Sequence, residues 1–413
     1  MASGLEGPSP RGAAVSVPSF DKELHALYFL KNLKMLPTPY ASQDNQRVVL
    51  VSKRPRRVAI GEDAAFFCIH GLAVLGELHR VDREPIIEWV YSLQVHPDCR
   101  DRSLNVSDCG FRGSPSYGNL FGCSPSEYSS ETYDTANIAS TYAALCILKT
   151  LGDDLSRVNK PAIIVALRLL QDKVTGRCAI GTKETPRGLL SFADHDVLRS
   201  FLAVPFGSEQ DVRFVFCACA ISYILDDWSG IDGPAMVHYI NSCVSYDGSI
   251  GIGADTEGQG GAVFCAIASL VLSGRLMQLQ SDRNDLIRWL MFRQQGGFQG
   301  RCNKTPDSCY AFWNGATLEM LGKHHLVDVP SCQAFIQSCQ FPFGGLCKYP
   351  DAPPDVMHSY YSLAWLSIAA NQKRKSQSGE EAAATHDDGP FACLVPVDAK
   401  LQVPFFPKPH KKA

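Results

Sequence analysis

The sequence predicts an all-α protein, an α/α barrel of about six helical hairpins with an inner and an outer ring of helices. Three observations predict it. Segments that are apolar on nearly every face and rich in small residues recur along the chain: STYAALCILKTLG, FVFCACAISYIL, AVFCAIASLVLSG, SCYAFWNGATLEMLG and HSYYSLAWLSI. Such segments suit helices buried on all sides and packed closely on their neighbours. The aromatics near their starts, Tyr142, Phe216, Phe264, Tyr310 and Tyr360, lie 74, 48, 46 and 50 residues apart. Glycine turns keep the same period, with Gly248, Gly297 and Gly345 spaced 49 and 48 residues apart. A period near 48 holds two helices and two connections, one helix buried and its partner amphipathic.

Taken in order, residues 1–18 are expected to be disordered, and a single barrel domain is expected over 19–371. AAFFCIHGLAVLG, residues 64–76, is the first inner helix. Just before it, VSKRPRRVAIGEDA (51–64) puts a basic, proline-containing run where a helix should begin. A solvated surface loop is favoured there over a basic interaction site. A second insert, VTGRCAIGTKETPRGLLSFADHDVLRS (174–200), has poor periodicity and many turn formers. Removing it shortens the 74-residue spacing to 47, back on period. Both inserts begin at or beside a valine, whose codons open with GT, so retained intron sequence is one origin for them. The stretch 372–413 opens with QKRKSQSGEEAAATHDDGP, which is polar and low in complexity, and is expected to be disordered.

Composition narrows the function. The 413 residues are 45% hydrophobic and 20% charged, an ordinary globular balance. A formal net charge of -3 gives no basic footprint for nucleic acid. No run of 18 apolar residues marks a membrane span, and the N-terminus lacks the apolar core of a secretory signal. The 16 cysteines are scattered through apolar runs without a CxxC pair, which fits buried thiols in a reducing, cytoplasmic setting.

One stretch, NKTPDSCYAFW at 303–313, gathers a cation, a carboxylate, a thiol and two aromatics. Asp307 and Cys309 stand at the start of a predicted inner helix, and His358 stands at the matching place one repeat later. Asp, Cys and His are zinc ligands, and three of them with an open fourth position mark a catalytic zinc. The alternative is an N-cap aspartate, a buried cysteine and a core histidine. Arg301 and Lys304 precede Asp307, and Lys348 occupies the equivalent turn one repeat on. With the Tyr310 hydroxyl they form a set suited to a diphosphate, or else are solvated turn charges. Phe264, Tyr310, Phe312, Trp313 and Tyr360 line an apolar interior or simply pack in the core.

These residues resemble the β-subunits of the protein prenyltransferases, and are most similar to type I protein geranylgeranyltransferase. GRCNKTPDSCYAFWNGATL, LGDDLSRVNK, DVRFVFCACAISYILDDWSGID and IIEWVYSLQ carry the resemblance, which spans residues 20–370 apart from the two inserts. It implies an α/α barrel wrapped by a helical-repeat α-subunit in a heterodimer. It implies one Zn2+ on Asp307, Cys309 and His358, and a geranylgeranyl group moved from its diphosphate to the cysteine of CaaX proteins such as small GTPases, preferably ending in Leu. By the same resemblance Arg301, Lys304 and Tyr310 hold the diphosphate, Glu209 and Arg213 organise the peptide carboxylate, and Trp313 lines the lipid and peptide pocket. Lys348 stands where farnesyltransferases carry a magnesium-binding aspartate, so no Mg2+ requirement is expected. Met357 stands where farnesyltransferases place a tyrosine and the geranylgeranyl enzyme a leucine.

Three positions depart from the family. Gln259 replaces a histidine that contacts the diphosphate, and Asn137 replaces a histidine near the peptide carboxylate. The residue that makes room for the longer lipid is Val49 by one register and Asp63 by another. The alternatives are therefore a farnesyltransferase-like β-subunit and a catalytically impaired barrel that binds a partner. A terpene cyclase needs a DDxxD or DxDD motif, which GDDLS and DDWSG do not supply.

Overall fold

The computed structural model describes residues 19–34, 64–113, 125–129, 134–171, 200–205, 208–378 and, near the C-terminus, 394–395, 397–398 and 403–404. The segment 1–18, most of both expected inserts, Val49 and Asp63 lie outside the described residues.

Twelve helices alternate between two rings among the described residues. The inner ring is α2 (Ala64–Val74), α4 (Ile138–Thr150), α6 (Val212–Leu225), α8 (Gly260–Leu272), α10 (Tyr310–Met320) and α12 (Val356–Ser378). The outer helices are α1 (Lys22–Lys34), α3 (Arg83–Ser92), α5 (Lys160–Leu170), α7 (Gly233–Ser242), α9 (Arg283–Met291) and α11 (Val329–Ser338). Each inner helix packs on the next, and α12 returns to α2, so the ring closes. The expected α/α barrel and its first inner helix are observed, and no described helix is long and apolar enough to cross a membrane.

Sequence chemistry explains both rings. Inner helices bury almost every residue, and their alanines, serines and glycines let backbones approach. A Cβ on Gly315 of α10 would sit 2.2 Å from the Trp365 ring of α12, so only glycine fits that crossing. Outer helices start with a side-chain cap followed by proline, as at Asn159, Asp232 and Asp328. Proline at the first turn lacks only a donor that had no helical partner, and each cap satisfies an orphan N–H.

A closed belt of rings runs through the inner helices. Phe66, Tyr142, Phe216, Phe264, Phe312, Tyr361 and Tyr360 touch in succession, with neighbouring centroids 5.2 to 5.9 Å apart, and Tyr360 closes back on Phe66. This corrects the aromatic ruler. Phe312, not Tyr310, is the belt member, and with it Phe216, Phe264, Phe312 and Tyr360 fall at uniform intervals of 48. The reason is local: α10 begins at Tyr310, whereas α4, α6, α8 and α12 begin four residues before their belt aromatic.

The expected end of the folded chain at 371 also shifts. Helix α12 continues to Ser378. Beyond it Leu394 is buried, the Val395 N–H donates to Val74 O at 2.7 Å, and Ser367 Oγ donates to Val395 O. Strands Val397–Asp398 and Val403–Pro404 pair antiparallel. The polar composition of 372–390 hides the apolar residues that follow, and Val395 and the strand Val403–Pro404 lie against α2.

His70 ties α2 to α4 inside the barrel. Its Nδ1 lies 2.6 Å from Phe66 O and its Nε2 lies 3.0 Å from Thr150 Oγ1. With Nδ1–H donating to the carbonyl, the neutral ring leaves Nε2 free to accept from the Thr150 hydroxyl. Burial lowers its pKa to about 4, although the backbone contact to Phe66 O opposes the shift. A histidine lowered on folding adds stability above its unfolded pKa of 6.5 and loses it as pH falls toward the folded value. Acid titration from pH 6.5 to 4 should therefore cost roughly 3 kcal/mol through this group. Thermal melting across that window checks it, with His70→Gln expected to flatten the dependence.

Candidate functional site

Inner and outer helices alternate in direction, so the N-termini of the inner helices gather at one end of the barrel. Apart from Phe264 and Tyr360, which stand a turn into α8 and α12, the described site residues that the sequence singles out lie in the first turn of an inner helix or in the loop that leads into it. Asn137 caps α4, Glu209 and Arg213 flank the cap of α6, Gln259 stands just before α8, Arg301 to Trp313 lead into and open α10, and His358 lies in the first turn of α12. Helix N-termini carry unpaired N–H groups and a partial positive charge, which makes this end hospitable to anions.

Asp307, Cys309 and His358 converge there. Their candidate ligand atoms all lie within 4.8 Å of one another, and all three residues are buried. The turn before α10 is tied down on both sides. Asp307 N–H donates to Phe298 O at 2.9 Å, and Cys309 N–H donates to Asp307 Oδ1 at 3.1 Å. Between them Ser308 reaches the next repeat, donating from N to Lys348 O (2.9 Å) and from Oγ to Cys347 O (2.7 Å). His358 Nε2 lies 3.3 Å from Asp307 Oδ1. On its other side His358 Nδ1 lies 2.6 Å from Asp355 Oδ2, and Asp355 Oδ1 accepts from the His358 N–H at 2.9 Å.

The charges explain what the triad needs. Burial by itself would lower the His358 pKa, but the hydrogen-bonded carboxylates of Asp307 and Asp355 outweigh it and raise the group to about 9. Burial would raise Asp307, yet its bond to His358 holds it below the usual carboxylate value. Burial, with the Asp307 charge beside it, pushes the Cys309 thiol well up. A carboxylate, a thiol and an imidazole thus share a site where the proton on His358 is the nearest balancing charge. A divalent cation balances the same groups once the protons on His358 and Cys309 leave. The donor set is the borderline-soft O, S, N combination that zinc prefers, and three ligands leave one position for an incoming group. The residues fit that ion.

Lys348, Tyr310 and Trp313 adjoin the triad, whereas Glu209, Arg213 and Asn137 stand at the starts of α6 and α4. Lys348 is half-exposed, with Nζ 3.6 Å from Asp307 Oδ2. Tyr310 Oη accepts from Gln259 Nε2 at 3.0 Å, and burial raises its pKa while Arg301 lowers it. Its ring packs closely on the turn: a Cβ on Gly300 would be 2.3 Å from it. Arg301 is exposed and pairs with Glu257 at 3.1 Å, and Lys304 is exposed on the same turn. Trp313 sits with its ring 5.1 Å from Phe264 and 4.4 Å from Tyr361. Arg213 contacts Glu209 at 3.1 Å and Asp211 at 2.6 Å. Asn137 accepts from the N–H groups of Ala139 and Ser140, so its carbonyl oxygen serves as a helix cap.

Two residues escaped the sequence reading. Asp355 orients His358, and its signal is a carboxylate three residues ahead of a histidine at a helix start. Asp211 caps α6 and grips Arg213 at the same time. Both look in sequence like ordinary N-terminal acids.

The prenyltransferase alpha-alpha toroid domain family matches residues 20–388. The chain is 40% identical over 355 residues to the geranylgeranyl transferase type-1 subunit beta of Dictyostelium discoideum, covering 84% of this chain and 90% of that protein. It is 35% identical over 370 residues to the geranylgeranyl transferase type-1 subunit beta of Arabidopsis thaliana, covering 86% of each. Its fold is similar to a solved structure of Candida albicans protein geranylgeranyltransferase-I complexed with GGPP, with TM-score 0.67, 22% identity and coverage of 94% and 96% of the two chains. A toroid of six inner and six outer helices, matched along nearly its whole length, places this chain in the protein prenyltransferase β-subunit family, where its similarity is to the type-1 geranylgeranyl members.

Proposed function

We propose that this chain is the catalytic β-subunit of a type I protein geranylgeranyltransferase, working with an α-subunit in the cytoplasm. It moves a geranylgeranyl group from its diphosphate to the cysteine thiol of proteins ending in a CaaX sequence, preferably with Leu last. The observation that carries the reading is the buried meeting of Asp307, Cys309 and His358 beside Lys348, at the end of the barrel where the inner-helix N-termini gather. The names of the relatives in Dictyostelium and Arabidopsis support it. The described cysteines are free thiols, which suits a reducing compartment.

Asp307, Cys309 and His358 hold zinc in this reading. Bound there, zinc lowers the pKa of an incoming thiol so that it reacts as thiolate near neutral pH. The sulfur forms a bond to C1 of the isoprenyl diphosphate, the C1–O bond breaks, and diphosphate leaves with the electron pair. The residues of the chain act on that leaving group. Arg301, Lys304 and Lys348 neutralise it, with Lys348 as a fixed charge in place of Mg2+. Gln259 occupies an acceptor site on Tyr310, which leaves the phenolic O–H to donate toward the developing charge. Trp313 and Phe264 form an apolar wall for the lipid, and Glu209 and Arg213 orient the peptide's carboxylate, with Asn137 at the neighbouring helix start.

The direct test co-expresses this chain with a type I α-subunit and offers a peptide ending in Cys-a-a-Leu, with either prenyl diphosphate and no magnesium. A geranylgeranyl adduct by mass spectrometry is expected. Farnesyl preference would move the chain to the farnesyltransferase-like reading, and no adduct from a folded, zinc-loaded heterodimer would favour an impaired barrel. Asp307→Ala and Cys309→Ala should lose zinc and transfer together, and zinc retained in both at full stoichiometry would overturn the ligand set. Asp355→Ala should keep the fold but weaken zinc binding about 10- to 100-fold, as loss of an outer hydrogen-bond partner does elsewhere, measured by competition with a chelator. Gln259→Leu should slow transfer by roughly tenfold through loss of one hydrogen bond, yet have little further effect in a Tyr310→Phe background.

A further inference from the structure

Between α1 and the triad lies the turn Gln340–Lys348, and its contacts on the α1 side have no place in the reaction so far described. His25 of α1 is buried and uses both ring nitrogens on this turn. Its Nδ1 accepts from the Gly345 N–H at 3.1 Å, and its Nε2 lies 3.0 Å from Gln340 Oε1. That pattern requires the neutral ring with the proton on Nε2. Burial lowers the His25 pKa against the opposing pull of Gln340 and Asp21, which keeps the ring neutral near pH 7.

The two glycines of the turn seat it closely on α1, against the Leu24 carbonyl and the Tyr28 ring. Gly344 and Gly345 have φ of +91° and +85°, the left-handed region that favours glycine. A Cβ on Gly344 would lie 2.2 Å from Leu24 O, and one on Gly345 would lie 2.9 Å from the Tyr28 ring. The far side of the same turn holds the metal triad's neighbours. Cys347 O and Lys348 O accept from Ser308, which stands between Asp307 and Cys309. Leu346 N–H donates to Oγ of Ser359, the residue after His358, at 2.8 Å. Lys348, at the end of the turn, directs its ammonium to Asp307.

We propose that His25 is a positioning residue: it locks the Gly344–Gly345 turn against α1 and so holds Lys348 at the edge of the triad, where its charge meets the diphosphate. The inference rests on the assignment of Lys348 to diphosphate binding in the reading above. His25 touches neither substrate nor metal. It acts through a turn that links the N-terminal helix to both α10 and α12.

The test uses the heterodimer with a type I α-subunit. Geranylgeranyl diphosphate binding is measured by quenching of tryptophan fluorescence, with zinc content, KM and kcat alongside. His25→Ala should keep zinc at the wild-type stoichiometry and weaken diphosphate binding about five- to tenfold, raising KM more than it lowers kcat. His25→Asn, whose side-chain oxygen can accept from Gly345 N–H, should return binding to within about twofold of wild type. In a Lys348→Ala background His25→Ala should change binding no further, because its effect passes through that lysine. Wild-type binding in His25→Ala overturns the inference, and so do losses that multiply with Lys348→Ala or an unrescued His25→Asn. Should His25→Ala fail to give a folded complex, Gln340→Ala removes only the outer anchor, and its non-additivity with Lys348→Ala decides the matter. A wild-type complex that binds no geranylgeranyl diphosphate overturns the functional reading and this inference together. Binding by the wild type with an indifferent His25→Ala overturns this inference alone.

Discussion

The packing of α12 between α10 and α2 is the constraint on which the rest of the molecule depends. On one side it closes the inner ring, with Tyr360 and Tyr361 set against Phe66 and Phe67. On the other side it carries His358 to Asp307 and seats Trp365 against the bare backbone of Gly315. Packing at organic-crystal density admits few small adjustments. The same contacts that close the barrel therefore hold a histidine from one repeat within bonding distance of a carboxylate from another. The triad is a product of ring closure, not of any single loop.

Placing such groups in the interior is costly unless each is balanced. The structure balances them in layers. Asp355 orients His358, Ser308 ties the turn before α10 to the next repeat, and Lys348 stands half in water beside Asp307. Tyr310 is partly buried with Gln259 as its donor, so an uncharged amide satisfies the phenolic oxygen. The amide keeps a hydrogen bond without adding charge. In a site with Arg301, Lys304 and Lys348 nearby, that changes the electrostatics more than the geometry.

A repeat architecture also explains why positions far apart in the chain serve one surface. The units send their inner helices the same way, so their N-termini share one end, joined there by the glycine turns before α8, α10 and α12. The turns differ in what they carry. One holds Arg301 and Lys304, the next holds Lys348, and the latter is the one supported from behind by α1 through His25, Leu24 and Tyr28. The N-terminal helix thus has a structural path to the site although it contributes no residue to it.

The period of 48 residues, the small-residue helices and the resemblance in GRCNKTPDSCYAFWNGATL were enough to read the barrel and to name Asp307, Cys309 and His358 from the sequence by itself. Periodicity is legible because a helix buried on every side must be apolar on every side, and that leaves a composition no surface helix has. The belt member Phe312 was not legible. Which aromatic points along the ring depends on the residue at which α10 starts, and Tyr310 sits one half-turn earlier with a different neighbour in Gln259. Asp355 and His25 were hidden for a related reason. Each is an ordinary residue at an ordinary helix start: His25 acquires its role from partners 315 and 320 residues away, which only the tertiary fold supplies, and Asp355 from a neighbouring His358 that the closed ring brings to Asp307. The return of Val395 and Val403–Pro404 to α2 belongs to the same class, since an apolar stretch after a polar one shows that burial is needed but not where. Sequence determined the kinds of group that meet at the end of this barrel, because chemistry is local to each residue. Tertiary structure alone decided which of them meet, because hydrogen bonds and charge pairs depend on distances of a few ångströms across the closed ring.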